Sequence, residues 1–363
     1  MKIIQVVSDS NIGGAGKVIL NMLKHFDRQK IDCKIVIPKK SKLKSYIKQL
    51  DYETIEIDGL GETSLERKLI KTFVKIFRDE KPDIVHTHAS LSARIAAKKL
   101  KIKTVYTRHW LGGENTNIFA RIMNNYFCDA AIAVSQAASN SLIATGISEK
   151  KINIIHNGID PLKKFSDIER RILRNKYQLE EDEFIFGTVA RIEKVKGLKY
   201  FINAANLFLN YNPNAKFLIF GEGSLRNKLE NYVHELRREN NIIFKGFADN
   251  TQEAYNLFDV FVLSSLQEAL SLALIEAMST GCPCISTNCS GPCEIIKDNE
   301  NGMLVPIKNS KAIFEAMKFL FDNDDIREKF SVNAYNSVRK NFSASTMTNE
   351  VTKLYERLVN KNG

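Results

Sequence analysis

The sequence predicts an α/β protein built from two Rossmann-like domains. The chain has 363 residues, a length that suits two domains of about 100–200 residues each. Short apolar runs alternate along it with amphipathic helical patterns, as expected for parallel strands covered by helices on both faces. The alternation occurs in two sets, which join around a polar, proline-containing stretch at residues 159–171 that reads as a linker.

The predicted elements follow one another in a regular order. In the first set the strands are residues 2–8, 33–38, 54–57, 83–88, 103–109, 130–135 and 152–158, with helices near 16–26, 41–50, 64–80, 90–99, 116–127 and 136–144. In the second set the strands are 184–191, 216–221, 242–247, 260–265 and 283–287, with helices near 197–210, 224–239, 251–257, 271–279 and 310–321. Ligands of such sheets bind outside the carboxyl ends of the strands, so the strand-to-helix junctions are the places to look for function.

The positive charge of the chain is concentrated in its N-terminal half. The net charge is +11, and residues 1–165 contain 28 Lys and Arg against 16 Asp and Glu, whereas the rest contains 25 against 26. An ordinary lysine-rich surface explains this as well as contact with a membrane surface, a phosphorylated acceptor or nucleic acid. No apolar run reaches the roughly 18 residues of a membrane span, and the N-terminus lacks the apolar core of a secretory signal, so we expect a cytoplasmic protein.

Four of the six cysteines are close together, at Cys282, Cys284, Cys289 and Cys293. Their spacing lacks the paired C-x2-C of common zinc sites. The segment also has the character of a short buried strand, in which a free cysteine acts as a small hydrophobe. We therefore expect no metal site there and, in a reducing cytoplasm, no disulfide.

Two junctions carry groups suited to phosphate. Gly13, Gly14 and Gly16 follow the first strand and open a helix, which lets backbone N–H groups approach an anion. The pattern is not GxGxxG, and the second strand ends in lysines rather than an acid, which argues against a nicotinamide cofactor. In the second set Arg191 ends a strand and Lys196 precedes a helix, and two cations so placed can clamp a diphosphate.

Two carboxylates, Glu268 and Glu276, stand seven residues apart at a further junction. Glu268 lies in the loop after the strand at 260–265, where a charge favoured by the helix dipole is the ordinary explanation. Glu276 lies inside an apolar helix, where an unpaired carboxylate is costly to bury unless solvent or a hydroxyl-rich ligand meets it. The GxG at Gly221 and Gly223 indicates little by itself.

Together and in this order, these segments resemble the family 4 retaining glycosyltransferases of the GT-B fold. The most specific part is residues 187–305, where GTVARIEKVKGLKYFINAA resembles the family's G-R-L-x3-K-G segment, FLIFGEGSLRNKL its GxG segment and SSLQEALSLALIEAMSTG its E-x7-E segment. The stretches GGAG, KPDIVHTH, TVYTRH, AIAVSQA and INIIHNGID extend the resemblance over nearly the whole chain. It implies two Rossmann-like domains facing across a cleft, with the acceptor bound by residues 1–165, the nucleotide-sugar by residues 166–343, and a last helix, 344–363, crossing back to the first domain.

The resemblance also implies a role for each donor-site residue. Arg191 and Lys196 would hold the diphosphate and stabilise it as the leaving group. Glu276 would bind the ribose hydroxyls and Glu268 the donor sugar. Gly14 would approach the diphosphate from the other domain.

Further positions receive roles in the same way. Backbone N–H groups at Leu270, Ser271 and Leu272 would reach the sugar and phosphate. His109 matches the family's active-site histidine, and a structural histidine at a strand end is the alternative. His86 and His88 form an H-x-H on one strand face, but no third metal ligand is evident, so we expect a structural role for both.

The sequence departs from the family pattern without losing a charged group. Ala190 stands where the family has glycine before the Arg, and Ser271 and Ala273 stand where it commonly has Gly and Pro. These changes would tune the sugar pocket, and we expect an active, retaining enzyme. No DxD-type motif follows the strands, and Arg191 and Lys196 can take a metal's part, so we expect transfer that needs neither metal nor cofactor.

The basic N-terminal half favours a lipid-linked acceptor at the inner face of the membrane, as in bacterial envelope glycan assembly. A short amphipathic helix there carries five lysines, which would contact an anionic bilayer: Lys39, Lys40, Lys42, Lys44 and Lys48. A solvated lysine-rich helix is the alternative. A UDP-sugar carrying a hexose or N-acetylhexosamine is the expected donor because uridine is common in the family, with a GDP-sugar and a soluble acceptor next.

Two other classes of protein fit less well. A nicotinamide-dependent oxidoreductase would need the GxGxxG fingerprint and an acid after the second strand, and neither is present. A non-catalytic protein that binds nucleotide-sugar or nucleic acid is compatible with the basic half. However, the sequence has no aromatic-rich basic platform, so we expect no nucleic-acid partner.

Overall fold

The computed structural model describes residues 1–8, 13–61, 66–112, 117–248 and 250–360. The chain divides into two compact units. The N-terminal unit contains Met1–Asp160 and Ser343–Gly363, and the C-terminal unit contains Pro161–Phe342. The chain therefore passes between the units twice, after residue 160 and after residue 342.

The N-terminal unit contains a seven-stranded parallel sheet with the order β3-β2-β1-β4-β5-β6-β7. Its strands are β1 (Lys2–Val6), β2 (Asp32–Pro38), β3 (Thr54–Ile57), β4 (Ile84–Thr87), β5 (Lys103–Arg108), β6 (Ala130–Ala133) and β7 (Ile152–Ile154). The helices between them are α1 (Gly14–His25), α2 (Leu43–Gln49), α3 (Arg67–Glu80), α4 (Leu91–Lys99), α5 (Ile118–Tyr126) and α6 (Gln136–Ala144), with a 3-10 turn at Glu149–Lys151. The helices α3 and α4 bury Phe73, Phe77 and Ala96 in a common core with residues of the sheet.

The C-terminal unit contains a six-stranded parallel sheet with the order β10-β9-β8-β11-β12-β13. Its strands are β8 (Ile185–Val189), β9 (Lys216–Phe220), β10 (Ile242–Gly246), β11 (Val260–Leu263), β12 (Cys284–Thr287) and β13 (Met303–Val305). Its helices are α7 (Asp167–Lys176), α8 (Leu198–Tyr211), α9 (Arg226–Glu235), α10 (Thr251–Leu257), α11 (Leu272–Ser279), α12 (Ser310–Asp322) and α13 (Asp324–Asn341), with 3-10 turns at Lys194–Lys196 and Gly291–Glu294. Stacked and edge-on aromatic rings, among them Phe186, Phe208 and Phe217, fill its core.

The last helix, α14 (Ala344–Asn360), belongs to the N-terminal unit. It packs against α1, and the backbone N–H of Ala344 donates to the carbonyl of Ile159 at 2.9 Å. Tyr355 on this helix is fully buried. The C-terminal end of the chain thus completes the core of the unit in which the chain begins.

The predicted α/β class with two Rossmann-like domains is confirmed, and each predicted strand corresponds to an observed one. Three elements were missed. The short strand β13 and the helix α13 had not been predicted, and the second part of the predicted linker at 159–171 is wrong, because α7 begins at Asp167.

A capping box explains the start of α7. The Ser166 side chain accepts from the backbone N–H of Glu169, and the Glu169 carboxylate accepts from the backbone N–H of Ser166. Two backbone donors at the helix start are thereby satisfied, so the helix can begin directly after the polar stretch. The S-x-x-E signature is present in the sequence, and it is the signal that would have identified the helix.

Candidate functional site

In the C-terminal unit, Arg191, Lys196 and Glu268 lie on the loops after β8 and β11, and the GxG loop after β9 lies beside them. These loops follow β9, β8 and β11, which are adjacent in the sheet, so parallel pairing brings all three to the same edge. Backbone hydrogen bonds tie them together: Ile192 N–H donates to the Glu222 carbonyl at 2.9 Å, and Leu266 N–H donates to the Val195 carbonyl at 2.8 Å. Residues far apart in sequence therefore form one local surface.

Lys196 and Glu268 form an ion pair at the centre of this surface. The Lys196 Nζ lies 2.5 Å from Oε1 of Glu268, and the two side chains are only 18% and 10% exposed. The hydroxyl of Ser265 donates to the same Oε1 at 2.7 Å. Two residues to which the sequence assigns different ligand groups thus contact each other directly in this structure.

Gly197 makes this contact geometrically possible. Its φ is +61°, in the left-handed region that glycine adopts readily, and a Cβ atom there would lie 2.2 Å from the carbonyl oxygen of Ser264. The Ser264 hydroxyl also donates to the carbonyl of Lys196 at 3.1 Å. The loop after β8 can therefore approach the loop after β11 closely enough to bring Lys196 to Glu268.

Arg191 lies two residues beyond the end of β8 and is exposed. Its guanidinium makes no hydrogen bond to any residue within the described ranges. The hydrogen bonds from Ser224 lower the pKa of the Glu193 carboxylate, and the nearby charge of Arg191 adds a smaller contribution. Glu193 is mainly held by Ser224, whose backbone N–H and hydroxyl donate to it at 2.9 and 2.7 Å. The guanidinium keeps its donors available for an anion.

Glu276 is buried inside α11, as the apolar surroundings in the sequence predict. The hydroxyl of Tyr255 on α10 donates to Oε2 of Glu276 at 2.9 Å. Burial, followed by the nearby Glu276 charge, raises the pKa of Tyr255 well above its usual value, which keeps the phenol protonated as a donor. The carboxylate therefore has a protein partner, which the sequence did not reveal.

The loop from Glu268 into α11 is held by its own backbone. Ser271 caps the helix by accepting from the backbone N–H of Leu274 at 3.4 Å, and Leu270 and Leu272 on either side of it are buried. On the other side, the backbone N–H of Gly291 donates to the Glu268 carbonyl at 3.2 Å. The loop after β12 thus supports the loop that carries Glu268.

In the N-terminal unit, Gly14 is the first residue of α1 and Gly13 its N-cap. Neither a side-chain cap nor an acidic residue occupies the first turn, so the positive end of the helix dipole is not neutralised there. The preceding part of the predicted glycine loop, residues 9–12, lies outside the described residues.

His109 follows β5 and contacts the predicted H-x-H pair. Its Nε2 lies 2.9 Å from Nδ1 of His88, and the two rings stack with centroids 5.2 Å apart. Burial lowers the pKa of His109 to about 4. Burial and the neighbouring His109 lower the pKa of His86 to about 3. Burial, with both neighbouring imidazoles, also lowers the pKa of His88, so all three rings are neutral at neutral pH.

The five lysines proposed for membrane contact are all exposed: Lys39, Lys40, Lys42, Lys44 and Lys48. Two of them form ion pairs, Lys39 with Asp58 at 3.1 Å and Lys44 with Glu56 at 2.6 Å. The apolar face of α2 is not available to a bilayer, because Leu43 and Ile47 are fully buried against the unit's own core.

The cysteine cluster is built into the C-terminal unit as small side chains. Cys282, Cys284 and Cys289 are buried thiols, and Cys293 is an exposed one. Among the described residues, no three His, Cys, Asp or Glu side chains are grouped so that they could hold a metal ion. No helix in the described part of the chain combines the length and apolarity that crossing a bilayer requires.

Sequence reasoning missed two residues at the site. Ser265 could have been noticed, because it directly follows an apolar strand and stands three positions before Glu268. Tyr255 offered no signal, since it lies 21 residues from Glu276 on another helix.

Comparison with known proteins identifies the family of both units. The model of Glycosyltransferase Family 4 matches residues 12–162, and that of Glycosyl transferases group 1 matches residues 169–337. The UDP-Gal:alpha-D-GlcNAc-diphosphoundecaprenol alpha-1,3-galactosyltransferase of Escherichia coli is 29% identical over 327 residues, which are 82% of this chain and 81% of the relative. The capsular polysaccharide biosynthesis glycosyltransferase CapM of Staphylococcus aureus is 25% identical over 90% of each chain.

Solved structures show the same fold. A glycosyltransferase from Rickettsia africae ESF-5 matches with a TM-score of 0.87 at 21% identity, covering 99% of this chain and 98% of its own. Anabaena HepE, solved in complex with UDP-glucose, matches with a TM-score of 0.87 at 19% identity, covering 98% of this chain and 100% of its own. The predicted GT-B fold is confirmed.

The close approach at Gly197 yields a first prediction. Gly197→Ala should lower the free energy of unfolding of the C-terminal unit by more than 1 kcal/mol, since the new methyl group meets backbone and the φ is unfavourable. Urea unfolding followed by circular dichroism measures this. Gly61→Ala is the matched control, because a Cβ at Gly61 meets nothing within 4 Å. Equal stability of the two variants would contradict the assigned backbone conformation.

The buried histidines yield a second prediction. In the unfolded chain a histidine has a pKa of about 6.5, whereas His86 and His109 titrate at about 3 and about 4 in the folded protein. The unfolded state therefore binds more protons below about pH 6.5, and stability falls as the pH falls. The free energy of unfolding should drop between about pH 7.5 and about pH 5, by at most about 1.4 kcal/mol per pH unit for each histidine.

The same urea titration at several pH values tests this dependence. His86→Gln should flatten the slope, because it removes one buried titrating ring. His234→Gln should leave the slope unchanged, since that side chain is 81% exposed. A stability that does not vary over this pH range would show that the three rings are not held neutral.

Proposed function

Because this chain belongs to the family 4 glycosyltransferases of the GT-B fold, we propose that it moves a hexose or N-acetylhexosamine from a UDP-sugar to a hydroxyl of a lipid-linked glycan intermediate, with retention of anomeric configuration. The observation that carries the donor side of this proposal is the Lys196–Glu268 pair beside the exposed guanidinium of Arg191. On one loop surface, the two cations would bind a diphosphate, and the carboxylate would accept hydrogen bonds from sugar hydroxyls.

In the proposed reaction the bond between the anomeric carbon and the diphosphate oxygen breaks. A bond from the acceptor oxygen to the same carbon forms, the acceptor hydroxyl loses its proton, and the nucleoside diphosphate leaves with the bonding electron pair. Negative charge develops on the leaving diphosphate, and Arg191 and Lys196 stabilise it. Two cations supply the electrostatic stabilisation that a divalent metal supplies elsewhere, so we propose a metal-independent transfer.

The ion pair also accounts for how the site is kept ordered before the donor binds. Lys196 and Glu268 are largely buried, and either one alone would be a poorly compensated charge. When a diphosphate takes over Lys196, Oε1 of Glu268 loses its cation and can accept from a sugar hydroxyl, while Ser265 continues to donate to it. Glu276, held by Tyr255, would accept from the ribose hydroxyls.

We propose UDP as the nucleotide on two grounds. HepE of Anabaena has been solved with UDP, with UDP and glucose, and with UDP-glucose. The Escherichia coli relative carries a UDP-sugar donor in its name. A GDP-sugar remains the second candidate, and the binding experiment distinguishes the two.

The proposed lipid-linked acceptor is supported by relatives and by one surface. The Escherichia coli relative is named for a diphosphoundecaprenol acceptor, and a relative from Acholeplasma laidlawii is an alpha-monoglucosyldiacylglycerol synthase. In this chain α5 buries none of its side chains, and Ile118, Phe119, Ile122 and Tyr126 are 59–74% exposed. Residues 118, 122 and 126 share one helix face, as in helices that lie in the bilayer interface.

We therefore propose that α5 contacts the membrane in place of the apolar face of α2. The exposed lysines of α2 and the basic character of residues 1–165 would add attraction to anionic lipid without insertion. His109 would contact the transferred sugar, and the N-terminal unit would hold the acceptor.

Donor binding gives the third prediction. A thermal-shift panel of UDP-, GDP- and ADP-sugars in EDTA should show stabilisation by UDP-sugars, about 2.7 kcal/mol at a hundredfold excess over Kd. Lys196→Ala should weaken binding about tenfold to hundredfold, because a charge-assisted contact to the diphosphate is lost. Glu276→Gln should also weaken donor binding, because it replaces the carboxylate that would accept from the ribose hydroxyls. Lys194→Ala, an exposed lysine in the same 3-10 turn, is the control and should bind as the wild type does.

The outcomes separate the candidates. Stabilisation by GDP-sugars alone would replace UDP as the donor class, and binding that requires a metal would overturn metal independence. Binding without transfer to any acceptor would favour the non-catalytic alternative. When transfer occurs, proton NMR of the product should show the anomeric configuration of the donor, and inversion would contradict the proposed stereochemistry.

Membrane contact gives the fourth prediction. The protein should float with vesicles of phosphatidylcholine and phosphatidylglycerol in equal parts, and Phe119→Ser/Ile122→Ser should reduce binding about tenfold or more through lost apolar burial. Ile168→Ser/Ile172→Ser is the control, because these side chains on α7 are equally exposed but lie in the other unit. Equal loss in the control would contradict a role for α5.

The lysines are tested separately. Lys40→Gln/Lys42→Gln/Lys48→Gln should weaken binding only at low salt.

A further inference from the structure

A continuous chain of hydrogen bonds runs behind His109 through the core of the N-terminal unit. His88 joins His109 to Gln5 on β1, with His88 Nε2 lying 2.8 Å from Oε1 of Gln5. The amide Nε2 of Gln5 donates to the hydroxyl of Tyr355 on α14 at 2.9 Å. That hydroxyl lies 2.5 Å from Nδ1 of His86, and Nε2 of His86 lies 2.6 Å from the Thr107 hydroxyl.

Apart from His109, which is half-buried, the members of this chain are buried, so water does not compete for their hydrogen bonds. Gln5, His86 and Tyr355 are at most 1% exposed, and His88 is 9% exposed. The three imidazoles are neutral at neutral pH, as described above, so each carries a single N–H. A neutral imidazole donates from one nitrogen and accepts at the other, so fixing one nitrogen fixes the ring.

The direction of the chain follows from the amide of Gln5. Its Oε1 can only accept, so Nε2 of His88 must carry a proton. Nδ1 of His88 is then an acceptor, and only an N–H on Nε2 of His109 can complete the 2.9 Å contact. His109 is therefore protonated at Nε2 and bare at Nδ1.

In the structure the amide of Gln5 points its Nε2 at the Tyr355 hydroxyl and its Oε1 at His88. A reversed amide would donate to His88 and accept from Tyr355, and every proton along the chain would then shift, leaving His109 protonated at Nδ1. In the observed direction the Tyr355 hydroxyl accepts from Gln5 and donates to Nδ1 of His86, and Nε2–H of His86 donates to Thr107. The two directions therefore give the two tautomers of His109, with Nδ1 bare in the observed direction and protonated in the reversed one.

The protonation state of Nδ1 of His109 determines what this atom can bind. Nδ1 of His109 is buried and has no hydrogen-bond partner in the described portion of the chain. A buried acceptor without a partner costs free energy, so it is usually matched by a ligand or by water. A bare nitrogen accepts a hydrogen bond from a hydroxyl group, whereas a protonated nitrogen would instead donate one to the hydroxyl oxygen.

We propose that Gln5, His88 and Tyr355 are positioning residues that hold His109 as its Nε2-protonated tautomer, so that Nδ1 accepts a hydrogen bond from a hydroxyl of the transferred sugar. The part of this statement that concerns the sugar rests on the proposed function, whereas the tautomer is a property of the resting protein. Tyr355 comes from the helix at the end of the chain, so α14 takes part in orienting a residue that follows β5.

Nitrogen-15 NMR of the full-length protein with labelled histidine tests the tautomer without any substrate. The His109 signals are identified by their loss in His109→Gln. In the wild type they should show a protonated Nε2 and a bare Nδ1. Tyr355→Phe and Gln5→Met should give a mixture of tautomers, since the amide direction is no longer fixed. Tyr52→Phe, which removes another tyrosine hydrogen bond in the same unit, should leave the signals unchanged.

Kinetics with the identified donor test the contact with the sugar. Tyr355→Phe and Gln5→Met should lower kcat/KM about two- to tenfold, the loss expected for one hydrogen bond, while the affinity for UDP itself stays the same. Circular dichroism verifies that each variant is folded.

A wild-type His109 protonated at Nδ1, or one that keeps its tautomer in both variants, would overturn the proposal. Mixed tautomers with unchanged kcat/KM would overturn the contact with the sugar. Absence of transfer in every form, with the tautomer as expected, would count against the proposed function and not against the hydrogen-bond chain.

Discussion

Parallel pairing in the order β9-β8-β11-β12 is the constraint on which the candidate donor site depends. All four strands run in one direction, so the loops that follow them emerge at one edge, although they are separated by up to about a hundred residues in sequence. The core that holds these strands is packed with aromatic rings and leaves little room for displacement. Each loop therefore needs only local hydrogen bonds to settle against its neighbour, and the bonds from Ile192 to Glu222 and from Leu266 to Val195 supply them.

On this scaffold Lys196 and Glu268 keep two largely buried charges paired. Two charges that are mostly shielded from water are expensive to bury singly and tolerable together. A ligand that brings its own negative charge can pair with Lys196, and its hydroxyl groups can donate hydrogen bonds to Glu268 in place of the lysine. Gly197 controls the approach of the two loops, so a backbone requirement at one glycine determines whether the two charges meet.

In the N-terminal unit the buried polar groups near His109 are neutral, so they need hydrogen-bond partners and not opposite charges. Burial keeps the imidazoles uncharged, and the bonds from Gln5 and Tyr355 satisfy the donors and acceptors that burial would otherwise leave unpaired. The last helix of the chain therefore contributes hydrogen bonds as well as packing. Its tyrosine is part of a buried polar network whose direction is set by a single amide.

The amino-acid pattern alone predicts the fold class, the strand order along the chain and the positions of the charged candidate residues. Continuous apolar runs specify buried parallel strands, and their ends mark the junctions where Arg191, Lys196, Glu268 and His109 stand. It could also have specified α7, through the S-x-x-E capping box that precedes it. These features depend on neighbours within a few residues, so they can be predicted from the sequence without a structure.

Tertiary packing, in contrast, brings particular pairs of these groups into contact. The pairing of Lys196 with Glu268 spans 72 residues, that of Glu276 with Tyr255 spans 21, and Tyr355 reaches His86 across 269. It also decided that α2 buries its apolar face whereas α5 exposes one, although both helices are amphipathic in sequence. Such contacts depend on how strands pair and helices pack. The local sequence pattern around a residue does not indicate which distant residue it will contact.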